Sequence, residues 1–195
     1  MGKIFYLMGK SSSGKDTIYR KILQDKSIKL LKIVPYTTRP IRAGEKQGVQ
    51  YVFTDEAGFN RLLDEGKIIE FRTYDTVYGE WRYFTVADDN IDLENHSYLI
   101  IGTPEAYNST KAYFGKEKVL PILIDLDDGV RLSRALNRER RQEVPKYEEM
   151  CRRFLADAKD FSDEKIAECG IERRFHNEDL AECISQITAY IKENM

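Results

Sequence analysis

The stretch that most constrains this chain is residues 4–17. An apolar run, Ile4-Phe5-Tyr6-Leu7-Met8, passes into Gly9-Lys10-Ser11-Ser12-Ser13-Gly14-Lys15-Asp16-Thr17 and then into a helical pattern. A strand that ends in glycines and turns directly into a helix aims successive backbone N–H groups, together with the positive end of the helix dipole, at one point. Gly9 and Gly14 supply backbone freedom there, and Lys15 supplies positive charge. The stretch reads as a loop for nucleotide phosphates; its plainer alternative is a Ser/Gly-rich turn with a capping role.

The Walker pattern places Ser or Thr directly after the lysine, because that hydroxyl ligates the magnesium carried by the nucleotide phosphates. Here that position is Asp16. A carboxylate also holds magnesium, and Thr17 offers a hydroxyl next to it, so Asp16 is the expected metal residue.

Composition narrows the partners. The chain has 195 residues, enough for one domain of moderate size or a core with a small insert, and 31 basic side chains against 33 acidic ones leave a net charge of −2. That balance argues against a nucleic-acid protein. Cys151, Cys169 and Cys183 are odd in number and widely spaced, so neither a disulfide framework nor a zinc site is expected. No amino-terminal signal pattern and no apolar run long enough for a bilayer is seen, which predicts a cytoplasmic protein without membrane partners.

Along the chain, Ile18, Ile22 and Leu23 give a helical stripe over residues 16–26, and Leu30–Pro35 reads as a buried parallel strand. The polar stretch from Tyr36 to Glu45 reads as a loop. Its Arg39 and Arg42 suit a second anion site, since guanidinium forks grip phosphate, but they also suit a solvated loop. A short helix is expected over residues 55–65 with Phe59, Leu62 and Leu63 inward, stopped by Gly66. Ile68–Phe71 reads as a strand whose Glu70 needs a partner, and residues 74–85 as an aromatic hairpin that either lines a pocket or packs in a sheet. Strands at 98–102 and 119–125 alternate with a helix at 104–114, which argues for an α/β fold with a parallel sheet. The arginine-rich run at 131–141 is either a solvated helix face or a lid that clamps phosphates. A helix at 147–161, a last strand at 173–176 and a terminal helix capped by Asn177-Glu178-Asp179 complete the reading.

The order of features, a phosphate loop, Thr37-Thr38-Arg39-Pro40-x-Arg42-x-Gly44-Glu45, Gly48, Tyr51, Ile69-Glu70-Phe71, Tyr78-Gly79 and an arginine-rich segment, resembles the guanylate kinases over essentially the whole length. The resemblance implies a P-loop kinase core with a parallel β-sheet at residues 1–35 and 87–195, a lid at about 127–145, and a small inserted nucleoside-monophosphate domain at 36–86. It implies transfer of phosphate from ATP to GMP with Mg2+, with small-molecule nucleotides as partners and a monomer or homodimer as the assembly. On it, Gly9, Lys10, Ser11, Ser12, Ser13, Gly14, Lys15, Asp16, Thr17 and Asn177 face ATP. Arg39, Arg42, Tyr51, Glu70, Tyr78 and Gly79 hold the acceptor, Glu70 reading guanine; Lys15, Arg39, Arg42, Arg138, Arg141 and Arg153 serve the transfer.

The chain departs from that pattern in two places. Where the family has a serine four residues before the first arginine and a Ser or Thr after Tyr-Gly, this chain has Pro35 and Glu80. The family's Asp-x-Asp at the end of the third core strand aligns with Ile101 and Thr103, so Asp16 is expected to supply the carboxylate missing there. A catalytically silent protein-binding module and a kinase of another nucleoside monophosphate or small phosphorylated metabolite remain as alternatives.

Overall fold

The computed structural model describes residues 1–42, 44–76, 79–88 and 91–195. Its centre is β1 (Ile4–Gly9), whose side chains Ile4 through Met8 are buried. β1 pairs in parallel with β7 (Ser97–Gly102) on one side and β8 (Val119–Asp125) on the other. β2 (Leu30–Lys32) and β9 (Arg174–His176) extend the sheet to the order β2-β7-β1-β8-β9, with every pairing parallel. A strand covered on both faces has no polar side to show, which is why β1 reads as an unbroken apolar run.

Alternation along β1 divides the core. Ile4, Tyr6 and Met8 pack with Ala106 and Tyr107 of α3 (Pro104–Phe114) and with Phe161. Phe5 and Leu7 pack on the other face with Ile18 and Ile22 of α1 (Lys15–Gln24) and with Cys183, Ile187 and Ile191 of α7 (Leu180–Asn194). α4 (Asp128–Glu139) and α5 (Tyr147–Asp160) pack against one another and bring the arginine-rich run beside the loop that follows β1.

A second sheet, ordered β4-β3-β6-β5, is built from β3 (Tyr36–Thr37), β4 (Val52–Phe53), β5 (Ile68–Thr76) and β6 (Gly79–Val86). α2 (Glu56–Asp64) covers one of its faces, Phe59 meeting Phe71 and Phe84 edge-on at centroid separations of 5.4 and 5.0 Å. The cross-strand partners Glu70–Thr85, Arg72–Tyr83 and Tyr74–Trp81 lie on the opposite face.

Several local expectations need correction. The strand at Leu30 ends at Lys32, although Ile33 N–H still donates to Leu99 O at 3.2 Å. Tyr36–Thr37, expected as loop, is a strand held antiparallel to β6 and parallel to β4; two residues carry no periodicity, and pairing alone makes them a strand. Leu63 is exposed at the edge of α2 rather than inward. α6 (Asp163–Glu168) went unseen in the sequence because six residues cannot display a helical repeat.

Candidate active site

The loop after β1 closes on backbone conformations that few residues adopt. Ser12 stands at φ +63° and Gly14, the N-cap of α1, at φ +92°. Left-handed backbone is ordinary for glycine and strained for serine, and such strain gathers where a chain is shaped around a ligand. Gly9 is required for close approach, because a Cβ there would lie 2.8 Å from Ser13 Oγ and 3.0 Å from Ile124 O. The Ser12 and Ser13 hydroxyls are buried and have no hydrogen-bond partner among the described residues. Lys15 opens α1 with its Nζ 3.6 Å from an Asp16 carboxylate oxygen, and the Asp16 side chain is 79% exposed. Thr17 Oγ1 accepts from Arg20 at 3.5 Å.

Distant segments brace this loop. Asn177, one residue beyond β9, is buried, and its Nδ2 donates to Ser13 O at 2.6 Å, so it touches the loop's backbone from beneath. Arg131 on α4 is wholly buried, donates from Nη1 to Ser11 O at 2.9 Å and lies across the Phe154 ring. Asp157 on α5 accepts from Ser11 N–H at 2.7 Å and lies 3.6 Å from Arg131. Asp128 receives hydrogen bonds from Arg131 and Lys10. Partial burial alone would raise its carboxyl, but those hydrogen bonds hold it below the usual aspartate value.

Arg131 and Asp157 were missed as individual site residues. Arg131 lay within a run already singled out, but its burial comes from α4 docking on α5. Asp157 is one more acid on a helix, without a spacing signal.

Arg42, Arg138 and Arg153, from three separate segments, meet Ser11 around one cleft of about 320 Å³. Arg153 Nη2 reaches Ser11 Oγ at 3.4 Å. Arg141 lies beyond the end of α4, exposed, its N–H on Arg138 O, and is not among the residues lining that cleft.

The other expected residues gather on the small sheet. Arg39 is buried, pairs with Glu45 at 2.8 Å and stands over the Tyr51 and Phe53 rings at 5.5 Å each. The hydrogen bonds from Arg39 and from Arg42 N–H hold the Glu45 carboxyl below the ordinary glutamate value. Tyr51 packs on Tyr83, the cross-strand partner of Arg72, which places it by the face that carries Glu70. Glu70 is buried and accepts from Thr85 Oγ1 at 2.7 Å; its second carboxylate oxygen has no hydrogen-bond partner among the described residues. Burial and then the nearby Glu70 carboxylate push the Tyr6 phenol well up. Tyr78 lies outside the described residues, while Gly79 opens β6 at φ +104°.

The departures are also placed. Glu80 pairs with Asp75 in register, on the face away from Glu70, and its carboxylate is held by Arg82. Pro35 supplies a carbonyl to Val52 N–H at 2.9 Å. Ile101 packs against the core, and Thr103 caps α3, its hydroxyl accepting from Ala106 N–H at 3.4 Å. Neither position offers a carboxylate. Among the described residues no group of three or more His, Cys, Asp or Glu side chains is arranged to hold a metal ion.

Comparison with known proteins bears on the sequence and the fold. Residues 1–88 match the family model described as guanylate kinase. The guanylate kinase of Anaplasma phagocytophilum (strain HZ) is 34% identical over 125 residues, which covers 64% of this chain and 58% of that protein. That of Malacoplasma penetrans (strain HF-2) is 26% identical over 184 residues, 91% of this chain and 82% of that one. The chain spans about half the length of the first curated relatives it matches, from 43% to 58%. A crystal structure of guanylate kinase from Anaplasma phagocytophilum superposes with a TM-score of 0.63 at 27% identity, over 100% of this chain and 87% of that one. Over residues 1–88 in sequence and along the whole chain in fold, this protein is similar to the guanylate kinases.

Proposed function

We propose that this chain is an ATP-dependent guanylate kinase, transferring the γ-phosphoryl group of ATP to GMP to give ADP and GDP. The observation that carries the reading is the convergence of Arg42, Arg138 and Arg153 with the phosphate-loop residue Ser11 around one cleft. In the transfer, the bond from the γ-phosphorus to the bridging oxygen breaks and one forms to an acceptor phosphate oxygen. Such chemistry needs alignment and neutralisation of charge more than any covalent help.

Lys15 and the amides of residues 9–17 hold the donor phosphates at the start of α1, where the helix dipole is positive. Arg42 with Arg39 positions the acceptor phosphate, and Arg138 and Arg153 offset charge on the group in transit. Arg141 joins them only if the α4–α5 segment closes further. Tyr51 and Tyr78 join Arg39 and Arg42 on the acceptor phosphate, Glu70 holds the guanine base, and Gly79 completes the acceptor side. Asn177, buried under the loop, acts on ATP through the loop's shape. Residues 36–86 act as the acceptor domain, residues 1–35 and 87–195 as the core, and residues 127–145 as the lid that excludes water from the reacting phosphates.

Magnesium fits the hard oxygen donors at the head of α1: an exposed Asp16 carboxylate with the Thr17 hydroxyl one residue on. Those two residues would hold the ion, which when bound offsets negative charge between the phosphates. No helix among the described residues is long and apolar enough to cross a membrane. We place the enzyme in the cytoplasm, acting on free nucleotides as a monomer or homodimer.

The test is a coupled assay of ADP formation with ATP and Mg2+ against GMP, AMP, UMP and CMP. Turnover with GMP well above the others is expected. No turnover with any acceptor would return the chain to a binding role, and turnover with every acceptor but GMP would overturn the specificity.

A further inference from the structure

We infer that Arg72 reads the acceptor edge of the guanine base, O6 and N7, while Glu70 takes its donor edge. This inference rests on GMP being the acceptor nucleotide.

Glu70 and Arg72 are two residues apart on β5 and share a face, each with its cross-strand partner, Thr85 and Tyr83, on β6. Thr85 satisfies one Glu70 oxygen. The other, Oε2, is buried with no hydrogen bond, and Arg72 Nε is likewise buried with none. The two atoms lie 3.4 Å apart, near enough for charge compensation but without hydrogen-bond geometry. A guanidinium carries five N–H donors in a planar fork, and among the described residues Arg72 donates to no acceptor. Its side chain is only 22% exposed. Leaving a buried guanidinium N–H and a buried carboxylate oxygen without hydrogen bonds is costly unless a ligand matches them.

Space for that ligand is present. Glu70 and Arg72 together line a recess of about 290 Å³ against Glu105, Ala106 and Ser109 of α3, and Arg72 also lines a neighbouring cleft of about 630 Å³ with Tyr74, Thr103 and Asn108. The pattern required is donors for a carboxylate directly beside acceptors for a guanidinium fork. Guanine presents N1–H and its 2-amino group next to O6, with N7 following, and arginine is a recurrent partner of that O6/N7 pair. Adenine presents an amino group at the O6 position and a bare N1, so it would set donor against Arg72 and acceptor against Glu70. Both buried groups would then be left unpaired, the condition under which a site rejects an analogue most strongly. The assignment explains how guanine is recognised when Pro35 offers only a carbonyl, used by Val52, and Glu80 is turned to the opposite face.

The experiment measures binding by titration calorimetry, so that it does not depend on turnover. GMP, 7-deaza-GMP, 6-thio-GMP and AMP are titrated into the intact protein and into Arg72→Ala and Arg72→Lys. Wild type should prefer GMP to the 6-thio and 7-deaza analogues, whose acceptors at position 6 or 7 are weakened or absent. Arg72→Ala should weaken GMP about 5- to 150-fold and bring the affinity ratios of GMP to both analogues towards one. Arg72→Lys keeps the charge beside Glu70 without the fork; it should also lose discrimination, and it carries the test if the alanine variant does not fold. A residue that merely supports the strand would weaken all nucleotides equally and leave the ratios intact, which would overturn the inference. No GMP binding by wild type would overturn it as well. Binding with the expected ratios but no ADP formation in the coupled assay would uphold Arg72 and overturn the kinase reading alone.

Discussion

Replacing Gly14 with alanine tests whether the phosphate loop is held from beneath as the structure describes. Gly14 is at φ +92°, and a Cβ built on it would lie 2.2 Å from Asn177 Nδ2. Left-handed backbone costs an alanine about 1–2 kcal/mol. The new methyl also displaces an amide that is 3% exposed and donates at 2.6 Å to Ser13 O, while its own Oδ1 already lacks a partner. Breaking that bond leaves a buried donor and acceptor unmatched, about 1–3 kcal/mol. The two effects together come to roughly 2–5 kcal/mol, or about 4–20 °C in Tm for a domain of this size. Thermal unfolding followed by circular dichroism reads the stability, and ATP titration reads the loop. Asn177→Ala removes the same bond by itself. The double variant should therefore be about 1–3 kcal/mol more stable than the sum of the single changes implies. Gly14→Ala within about 0.5 kcal/mol of wild type, or strict additivity with Asn177→Ala, would refute the account.

Two further outcomes follow from the same geometry. Asp16→Asn should leave Tm unchanged, because the side chain is 79% exposed, yet lower magnesium-dependent turnover at least about tenfold; unchanged turnover across a magnesium titration would show that the metal is held elsewhere. Glu45, held below the ordinary glutamate value near 4.5 by Arg39 and the Arg42 amide, contributes stability that is complete above that value and is lost as pH falls through its lower folded value. Tm profiles of wild type and Glu45→Gln should therefore converge between about pH 5 and pH 3, and parallel profiles would rule the linkage out.

Much of the core was legible because its signals are local. β1 and β8 are apolar runs, α3 begins at a proline behind a capping threonine, and α7 begins at a capping aspartate. The glycine-rich loop after β1 was legible for the same reason: glycines at the places where the backbone turns left-handed or passes close to Ile124. β3 and α6 were not, since a two-residue strand and a six-residue helix owe their form to what they pack against. The arginines divide in the same way. Their number was plain in the run at 131–141, but which of them meet the loop depends on the turn of α4 and the docking of α5. Arg131 is accordingly buried under Ser11, while Arg141 stays outside the cleft.

The sequence by itself determined the strand–loop–helix at residues 4–17, the alternation of strands and helices, and the family pattern from Thr37 to Gly79, because each is written in neighbouring residues. Only the tertiary structure decided that Asn177 and Asp157 hold the loop, that Glu80 points away from Glu70, and that Arg72 and Glu70 line one recess with Arg72 Nε and Glu70 Oε2 lacking hydrogen bonds. Those relations span strand register and helix docking across as many as 164 residues, and no local spacing encodes them.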